Sequence, residues 1–174
     1  MHRPRAADRR REGFTLLELA IALALITTVS VIAIPAFYAQ PAVTLDNASV
    51  LLARDLRYAQ NEAAMRGVNT QITFDDFGDG YAVETADAMP LPNPVGGGDL
   101  VRVYSRDAIF ENVKITAING LSEPHVRFDK NGFALDGVSI EMHYEDEVRI
   151  VHLAKESGLM QIEGLTTRWK DDGL

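Results

Sequence analysis

Hydrophobic and polar residues follow three patterns along the chain, and the first is a long apolar run. No residue in 19–45 is charged, and residues 19–39 are almost entirely apolar. A helix of about 20 apolar residues, rising 1.5 Å per residue, crosses the hydrocarbon core of a membrane. The run therefore predicts a single membrane-spanning helix within residues 14–40. One carboxylate, Glu18, lies at its start, and an ionisable group in such a segment usually marks function.

The second pattern is an amphipathic helix after Pro41. Apolar residues recur every three or four positions, which places them on one helix face. These residues are Leu45, Ala48, Leu52, Leu56, Ala59 and Ala63. The polar residues that fall largely off this face are Asp46, Asn47, Arg54, Asp55, Arg57, Asn61 and Glu62. Gly67 suits a helix C-cap, so the helix is predicted to end at about residue 67.

The third pattern is a series of short strands separated by turn residues. The predicted strands are 70–75, 81–85, 100–105, 113–118, 125–129, 138–144, 148–153 and 159–163. Residues 88–98 are rich in proline and glycine, and this composition predicts a mobile, exposed loop. The three patterns together predict an α+β fold: a long N-terminal α-helix, membrane-spanning in its first half, packed on an antiparallel β-sheet domain.

Charge is distributed unevenly along the 174 residues, whose net charge is -8. Residues 1–13 hold five arginines against Asp8 and Glu12, a net charge of +3. From Asp46 onward, 12 basic residues face 22 acidic ones, a net charge of -10. Basic residues before an apolar span keep that end in the cytoplasm, so the N-terminus is predicted to be cytoplasmic and the acidic domain periplasmic. An acidic domain repels phosphate backbones, which makes nucleic-acid binding an unfavoured function.

A processing motif lies where the basic segment meets the apolar run. The sequence Gly13-Phe14-Thr15-Leu16-Leu17-Glu18 resembles the signature of type IV prepilins. The resemblance implies that a prepilin peptidase cleaves between Gly13 and Phe14, removes residues 1–13 as a cytoplasmic leader, and methylates the new amine of Phe14. Pro35 occupies a place where many pilins have a helix-bending proline, and a kink is expected there. Thr27, Thr28 and Ser30 are candidates to satisfy the carbonyls that the proline frees.

Two other interpretations of the N-terminal segment compete with this one. A secretory signal peptide is disfavoured because the apolar run is too long and no small-residue cleavage site follows it promptly. An ordinary signal anchor would leave the spacing of Gly13, Phe14, Glu18 and Pro35 as coincidence. In the prepilin interpretation, Glu18 pairs with the Phe14 amine of a neighbouring subunit, which gives a charged group in an apolar helix a counter-charge.

The rest of the chain carries weaker similarities. Residues 54–63, 126–133, 148–153 and 157–159 resemble the second half of the helix and the closing strands of the GspH/FimT family, which comprises minor pseudopilins and minor pilins. The resemblance implies a pilin-like fold without the disulfide loop of many pilins. The chain has no cysteine, in agreement with that expectation.

Candidate chemistry outside the N-terminal motif is weak. In the acidic segment 75–80, Phe77 stands at a calcium-ligand position and Ala86 where the closing glutamate belongs, so a solvated turn is favoured over a cation site. His143 and His152 have no evident third ligand for a zinc ion. Residues 145–147 indicate a hairpin tip rather than a pair of catalytic carboxylates. The prediction is a protein that is not an enzyme, with no catalytic residue, no metal site, no cofactor and no small-molecule substrate.

The combined prediction is a GspH-like minor pseudopilin of a type II secretion system, a single-pass inner-membrane protein whose periplasmic domain is 41–174. Its partners would be the prepilin peptidase, other pseudopilins or pilins in a filament, and the inner membrane. The alternative is a FimT-like minor pilin that primes a type IV pilus or binds DNA for uptake. DNA-binding members resemble one another in a basic tail, whereas here Arg168 and Lys170 are offset by Asp171 and Asp172, and Trp169 is more simply a buried anchor.

Overall fold

The computed structural model of the protein describes residues 15–38 and 40–164, with side chains for 15–30 and 42–164. These residues fall into two compact units, one holding the first helix and one holding everything from Gln40 onward. Gly13, Phe14, Trp169 and the side chain of Pro35 lie outside the described residues. The predictions of cleavage, methylation and a kink therefore stay predictions.

Helix α1 spans Leu16–Tyr38. Thr15 caps its N-terminus: the hydroxyl oxygen of Thr15 accepts a hydrogen bond from the backbone N–H of Glu18 at 3.2 Å. Every large apolar side chain of α1 whose exposure is described is more than half exposed. These residues are Leu16, Leu17, Leu19, Ile21, Leu23, Leu25, Ile26 and Val29. Within the described residues, no helix combines the length and the apolar character that crossing a membrane requires.

Three hydroxyls on α1 bond differently from the expectation. The hydroxyl of Thr27 donates to the carbonyls of Leu23 and Ala24, and that of Thr28 to Ala24. The hydroxyl of Ser30 donates to the carbonyl of Ile26 at 2.8 Å. A proline at position 35 frees the carbonyl four residues earlier, at position 31. The expectation that these hydroxyls satisfy carbonyls freed by the proline is wrong, because each one bonds to its own preceding turn.

Helix α2 spans Gln40–Arg66, and its apolar face is the predicted one. Leu45, Ala48, Leu52, Leu56, Ala59 and Ala63 are all fully buried. Two polar residues predicted to lie off this face are buried with it, namely Asp55 and Glu62. The prediction was wrong for these two residues because a polar side chain can be buried where the fold supplies it with a partner. The sequence pattern does not show whether such a partner exists. Glu62 forms an ion pair with Arg66 one turn later.

Gly67 terminates α2 as predicted. It has φ +63°, and the backbone N–H of Val68 donates to the carbonyl of Ala63 at 3.3 Å, the six-residue closure of a Schellman motif. A Cβ at Gly67 would meet no atom within 4 Å, so crowding is not what requires glycine here. The left-handed backbone is the requirement.

We expect Gly67→Ala to lower the free energy of unfolding by about 1 kcal/mol, because an L side chain is strained in the left-handed region. Gly97→Ala is the matched control, since a Cβ at Gly97 also meets nothing within 4 Å but its φ lies outside that region. Denaturant unfolding followed by circular dichroism measures both variants. Equal losses in the two would contradict the backbone argument.

Eight strands follow α2 and agree closely with the prediction. They are β1 (Thr70–Phe74), β2 (Gly80–Thr85), β3 (Val101–Val103), β4 (Lys114–Asn119), β5 (His125–Phe128), β6 (Val138–Tyr144), β7 (Glu147–Leu153) and β8 (Met160–Gly164). They form two four-stranded antiparallel sheets, in the orders β3-β2-β1-β5 and β4-β6-β7-β8. Helix α2 packs on strands of both sheets, so its buried face forms the centre of the core. The predicted α+β arrangement of a helix packed on antiparallel sheet is confirmed.

Residues 88–98 are largely exposed, as predicted, except at Leu91. Leu91 is buried, its N–H donates to the carbonyl of Val83, and its carbonyl accepts from Leu100. Pro92 accepts a hydrogen bond from the hydroxyl of Tyr58 on α2. The loop is therefore tied to the core at its middle, while Met89 and Val95 beside it remain exposed.

Candidate functional site

Glu18 is the one predicted site residue whose side chain the structure describes, and it lies exposed in the first turn of α1. It is the third residue of the helix, counted from Leu16, and its N–H is the one that Thr15 caps. A carboxylate at this position interacts favourably with the positive end of the helix dipole. The residues Thr15-Leu16-Leu17-Glu18 fit the S/T-x-x-E capping box, a signal that sequence reasoning missed.

The surroundings of Glu18 leave its charge available to another molecule. Leu16, Leu17 and Leu19 flank it, with exposures of 87, 71 and 52%. Among the described residues, no ion pair includes Glu18. The arrangement is an anion in an exposed apolar helix end, which suits a cationic partner that also covers the leucines.

A second polar centre, which sequence reasoning missed, lies under α2. The carboxylate of Asp55, 1% exposed, accepts the hydroxyl of Tyr81 at 3.0 Å and the Nε of Arg102 at 2.8 Å. A weaker bond from Nη2 of Arg102 spans 3.4 Å. These residues come from α2, β2 and β3, so one carboxylate joins the helix to the first sheet. Sequence reasoning lacked a signal for it, because Arg102 follows Asp55 by 47 residues.

Burial controls the ionisation of this centre. Burial raises the pKa of the Tyr81 hydroxyl well above its ordinary value, with nearby Tyr104 and Asp55 adding to the effect. Burial by itself would lower the pKa of Arg102, but the hydrogen bond and the charge of Asp55 outweigh it and raise that pKa. Arg102 therefore stays cationic and Tyr81 stays protonated at physiological pH. The centre acts as a structural ion pair with a hydroxyl donor, and not as an acid or base.

Hydrogen bonds of Gln60 on α2 connect three of the segments that resemble the GspH/FimT family, namely 54–63, 126–133 and 157–159. Its side-chain amide donates to the carbonyl of Gly132 at 2.8 Å and to that of Ser157 at 3.5 Å. A Cβ at Gly158 would lie 2.3 Å from the nitrogen of the same amide, so glycine leaves room for it. Gln60 therefore joins the helix to the two loops that carry Gly132 and Ser157.

We expect Gln60→Leu to lower the free energy of unfolding by about 1–2 kcal/mol, since it leaves the carbonyl of a packed loop without its donor. Gln161→Leu on β8 is the control, because that side chain is exposed and forms no hydrogen bond with the described residues. Its effect should fall within about 0.5 kcal/mol of zero. Thermal or denaturant unfolding would contradict the assignment if the control lost as much stability as Gln60→Leu.

In the acidic turn 75–80, the carboxylates of Asp75 and Asp79 accept hydrogen bonds from the protein itself. Asp79 accepts the ammonium of Lys114 at 2.7 Å and the hydroxyl and N–H of Ser105. Those hydrogen bonds, Lys114 first and then Ser105, lower the pKa of Asp79. Phe77, at the position that a calcium loop needs for a ligand, is 86% exposed. Asp79 thus has a cationic partner of its own, and in the part of the chain that the structure describes no cluster suits a metal ion.

The histidines and the hairpin tip are likewise engaged locally. His143 lies 2.6 Å from a Glu141 oxygen, and His152 contacts Ser139 and Glu163. In the register of β6 and β7, His143 faces Val148 while His152 faces Ser139, so the two rings lie at opposite ends of the pair. Glu145 and Asp146 form the two-residue turn between these strands, with Glu145 at φ 54°.

Comparisons with known proteins give two family matches and similarities to solved structures that include a minor pilin and a minor pseudopilin. Residues 8–34 match the model of the prokaryotic N-terminal methylation motif, and residues 48–155 match that of type II transport protein GspH. The type IV minor pilin FimU of Pseudomonas aeruginosa is 20% identical, over 68% of this chain and 87% of that one, with a TM-score of 0.49. The minor pseudopilin EpsH from the type 2 secretion system of Vibrio cholerae is 13% identical, over 70% and 98%, with a TM-score of 0.47. No curated protein matches the chain.

Proposed function

Because the chain belongs to the type II transport protein GspH family, whose model matches more than half of it, we propose that it is a minor pseudopilin of a type II secretion system. In this role it is processed by a prepilin peptidase and assembled into a periplasmic pseudopilus that supports protein export. The proposal assigns the protein a structural role with no catalytic step. It is anchored in the inner membrane by residues 14–40, with residues 41–174 in the periplasm.

The observation that carries the proposal is the position of Glu18. The methylation motif covers this residue, and its carboxylate is exposed in the first turn of an apolar helix. Cleavage after Gly13 would create an amine on Phe14 four residues away. In a filament, the carboxylate of one subunit and the amine of the next would neutralise each other while the leucines around Glu18 are covered.

Processing has a direct readout in the mass of the mature protein. We expect the filament-associated protein to begin at Phe14 and to carry one additional methyl group. Intact-mass and N-terminal peptide spectrometry measure both changes, with the same protein from a strain lacking the prepilin peptidase as the control. A mature chain that still begins at Met1, or begins at a residue other than Phe14, would contradict the processing assignment.

Export is the test of the function itself. Deleting the gene should reduce secretion through the type II system and the yield of assembled pseudopilus, and expression from a plasmid should restore both. Unchanged export together with unaltered pseudopilus assembly would overturn the proposal. A loss of surface pili or of DNA uptake, with export intact, would instead support the alternative.

The alternative is a FimT-like minor pilin that primes a type IV pilus or binds DNA. Its DNA-binding version is disfavoured by charge, since from Asp46 onward acidic residues outnumber basic ones by 22 to 12. Binding of duplex DNA depends on phosphate contacts from lysine and arginine and weakens with salt. The purified protein should therefore not retard duplex DNA at low salt. Salt-sensitive binding at micromolar concentration would favour the alternative.

A further inference from the structure

The acidic turn 75–80 presents an aromatic side chain to solvent. Phe77, 86% exposed, is the most exposed large apolar side chain among the described residues from 42 onward. Asp76 beside it is also exposed, and its carboxylate has no ion pair or hydrogen bond with a described residue. The turn therefore offers a large apolar group and a carboxylate next to each other, and neither is used within the described chain.

The backbone fixes this turn in place. The N–H of Gly78 donates to the carbonyl of Asp75 at 2.9 Å, and the carbonyl of Gly78 accepts from the N–H of Ile115 on β4 at 2.9 Å. Gly78 has φ +67°, and a Cβ there would collide with the carbonyl oxygen of Ile115, so the close approach to β4 requires glycine. Phe77 is thus presented by an anchored turn, which loses little conformational freedom when it binds.

A surface that suits such a turn lies along α2. It is an apolar groove of about 620 Å³, whose walls are the loop that carries Val95 and the edge strand β8 with Met160 and Ile162. Val50 and Val95 line it and are 57 and 71% exposed. In the part of the chain that the structure describes, no segment covers these side chains, so the groove is open to another molecule.

Two arginines make the groove complementary to a carboxylate. Arg54 and Arg57 belong to its lining and are exposed. Arg57 forms no ion pair with another described residue, and the carboxylate nearest to Arg54 is that of Asp55, 4.0 Å away, which already binds Arg102. An excess of positive charge in a chain of net charge -8 favours an acidic occupant that also carries a large apolar side chain.

We propose that the occupant is the turn 75–80 of a second copy of this chain. Phe77 of that copy lies between Val50 and Val95, and Asp76 lies beside Arg57. The turn and the groove are different surfaces of one chain, so the contact is heterologous and each copy keeps a free turn or a free groove for the next. A contact of one turn with one groove belongs to the small interfaces, below about 1,200 Å² of buried surface, that form transiently. A covalent trap is therefore the suitable measurement.

Replacing Phe77 by the photoreactive p-benzoylphenylalanine keeps an aromatic side chain in the turn and traps its neighbour on irradiation. The full chain in detergent should give a covalent dimer, and its crosslinked peptide should contain Met160 or residues 50–61. The same replacement at Phe133, which is 55% exposed and does not line the groove, is the matched control and should give several-fold less dimer. No dimer from position 77, or a crosslink to another part of the chain, would overturn the proposal. Irradiated cells in which position 77 crosslinks only to a different protein would overturn it too.

Charge reversal tests the pairing of Asp76 with Arg57. Asp76→Arg and Arg57→Asp, each added to the chain with the probe at position 77, should lower the dimer yield several-fold. The two together should recover it, because the pair forms again with its charges exchanged. Lys155→Asp makes the same change of charge at an exposed residue that does not line the groove, and it should leave the yield unchanged.

An equal loss in Lys155→Asp, or a double variant no better than the two single ones, would overturn the proposal. These measurements use the purified chain alone. Their outcome is therefore independent of the export test of the proposed function.

Discussion

Glu18→Ala should leave the protein inserted and cleaved but reduce its incorporation into filaments by at least about tenfold. A tenfold change corresponds to about 1.4 kcal/mol, and breaking a desolvated ion pair by removing one partner costs about 3–5 kcal/mol. The carboxylate is exposed in the first turn of α1 and is available for such a pair with the amine that the proposed cleavage would create on Phe14. Membrane fractionation, the mass of the mature chain and the protein content of sheared filaments measure the three stages separately.

The structure gives Glu18 a second, local role, and the controls must separate the two. The carboxylate lies at the positive end of the helix dipole, and the N–H of the same residue is capped by Thr15. Thr15→Ala removes the cap and keeps the charge, so incorporation should stay close to the unmodified level. Glu18→Gln keeps the size of the side chain and removes the charge, so it should behave like Glu18→Ala. Normal assembly of Glu18→Gln, or a defect in Thr15→Ala as large as that of Glu18→Ala, would refute the pairing argument.

The spacing of apolar residues predicted the helices and strands because buried positions recur at a regular interval within each element. All six apolar positions of the stripe on α2 are buried, and every strand begins and ends within two residues of its predicted bounds. The largest difference is at the end of β3, where Tyr104 begins a short 3-10 turn. Each of these features is local: a helix face or a strand face is determined by residues within one or two turns. Gly67 was predictable for the same reason, since a C-cap depends only on its own backbone.

The polar joints were not predictable because their partners are far apart in sequence. Asp55 binds Arg102, and Gln60 of α2 binds Gly132, 72 residues away. Nothing in the pattern around Asp55 distinguishes it from exposed Asp46, yet one is 1% and the other 57% exposed. The contact of Leu91 with the core was missed for a related reason. In a segment rich in proline and glycine, one buried leucine gives no periodic pattern that would predict its burial. The processing pair Gly13 and Phe14 was predicted from a motif, and its outcome awaits the mass measurement.

Asp55→Ala should lower the free energy of unfolding by about 3–5 kcal/mol, the usual cost of leaving a buried partner uncompensated. Without the carboxylate, the guanidinium of Arg102, 22% exposed, and the buried hydroxyl of Tyr81 lose their acceptor. Asp46→Ala is the matched control. It too removes an aspartate of α2 that binds an arginine on a strand, at 2.6 Å from Arg149, but Asp46 is 57% exposed. Its loss should be about 0–1 kcal/mol, because solvent screens the exposed carboxylate and Arg149 keeps Glu147 as a second partner at 3.1 Å. Denaturant unfolding that gave the two variants equal losses would contradict the burial argument.

The double variant Asp55→Leu with Arg102→Met measures the net contribution of the buried ion pair to the free energy of unfolding, without leaving one charged partner unpaired. Replacing a buried ion pair by apolar residues of similar volume is often neutral, so the part of the loss that comes from Arg102 should return. The hydroxyl of Tyr81 still lacks its acceptor, so about 1–3 kcal/mol of the loss should remain. Variants of this centre and of Glu18 should therefore differ in how filament incorporation follows the free energy of unfolding. Asp55→Ala should reduce filament incorporation only in proportion to its loss of folded protein, and the double variant should restore it in part. Glu18→Ala should reduce incorporation at unchanged unfolding free energy of the domain, because its carboxylate lies on α1, outside the core on α2, and the proposed role of this carboxylate is a contact between subunits.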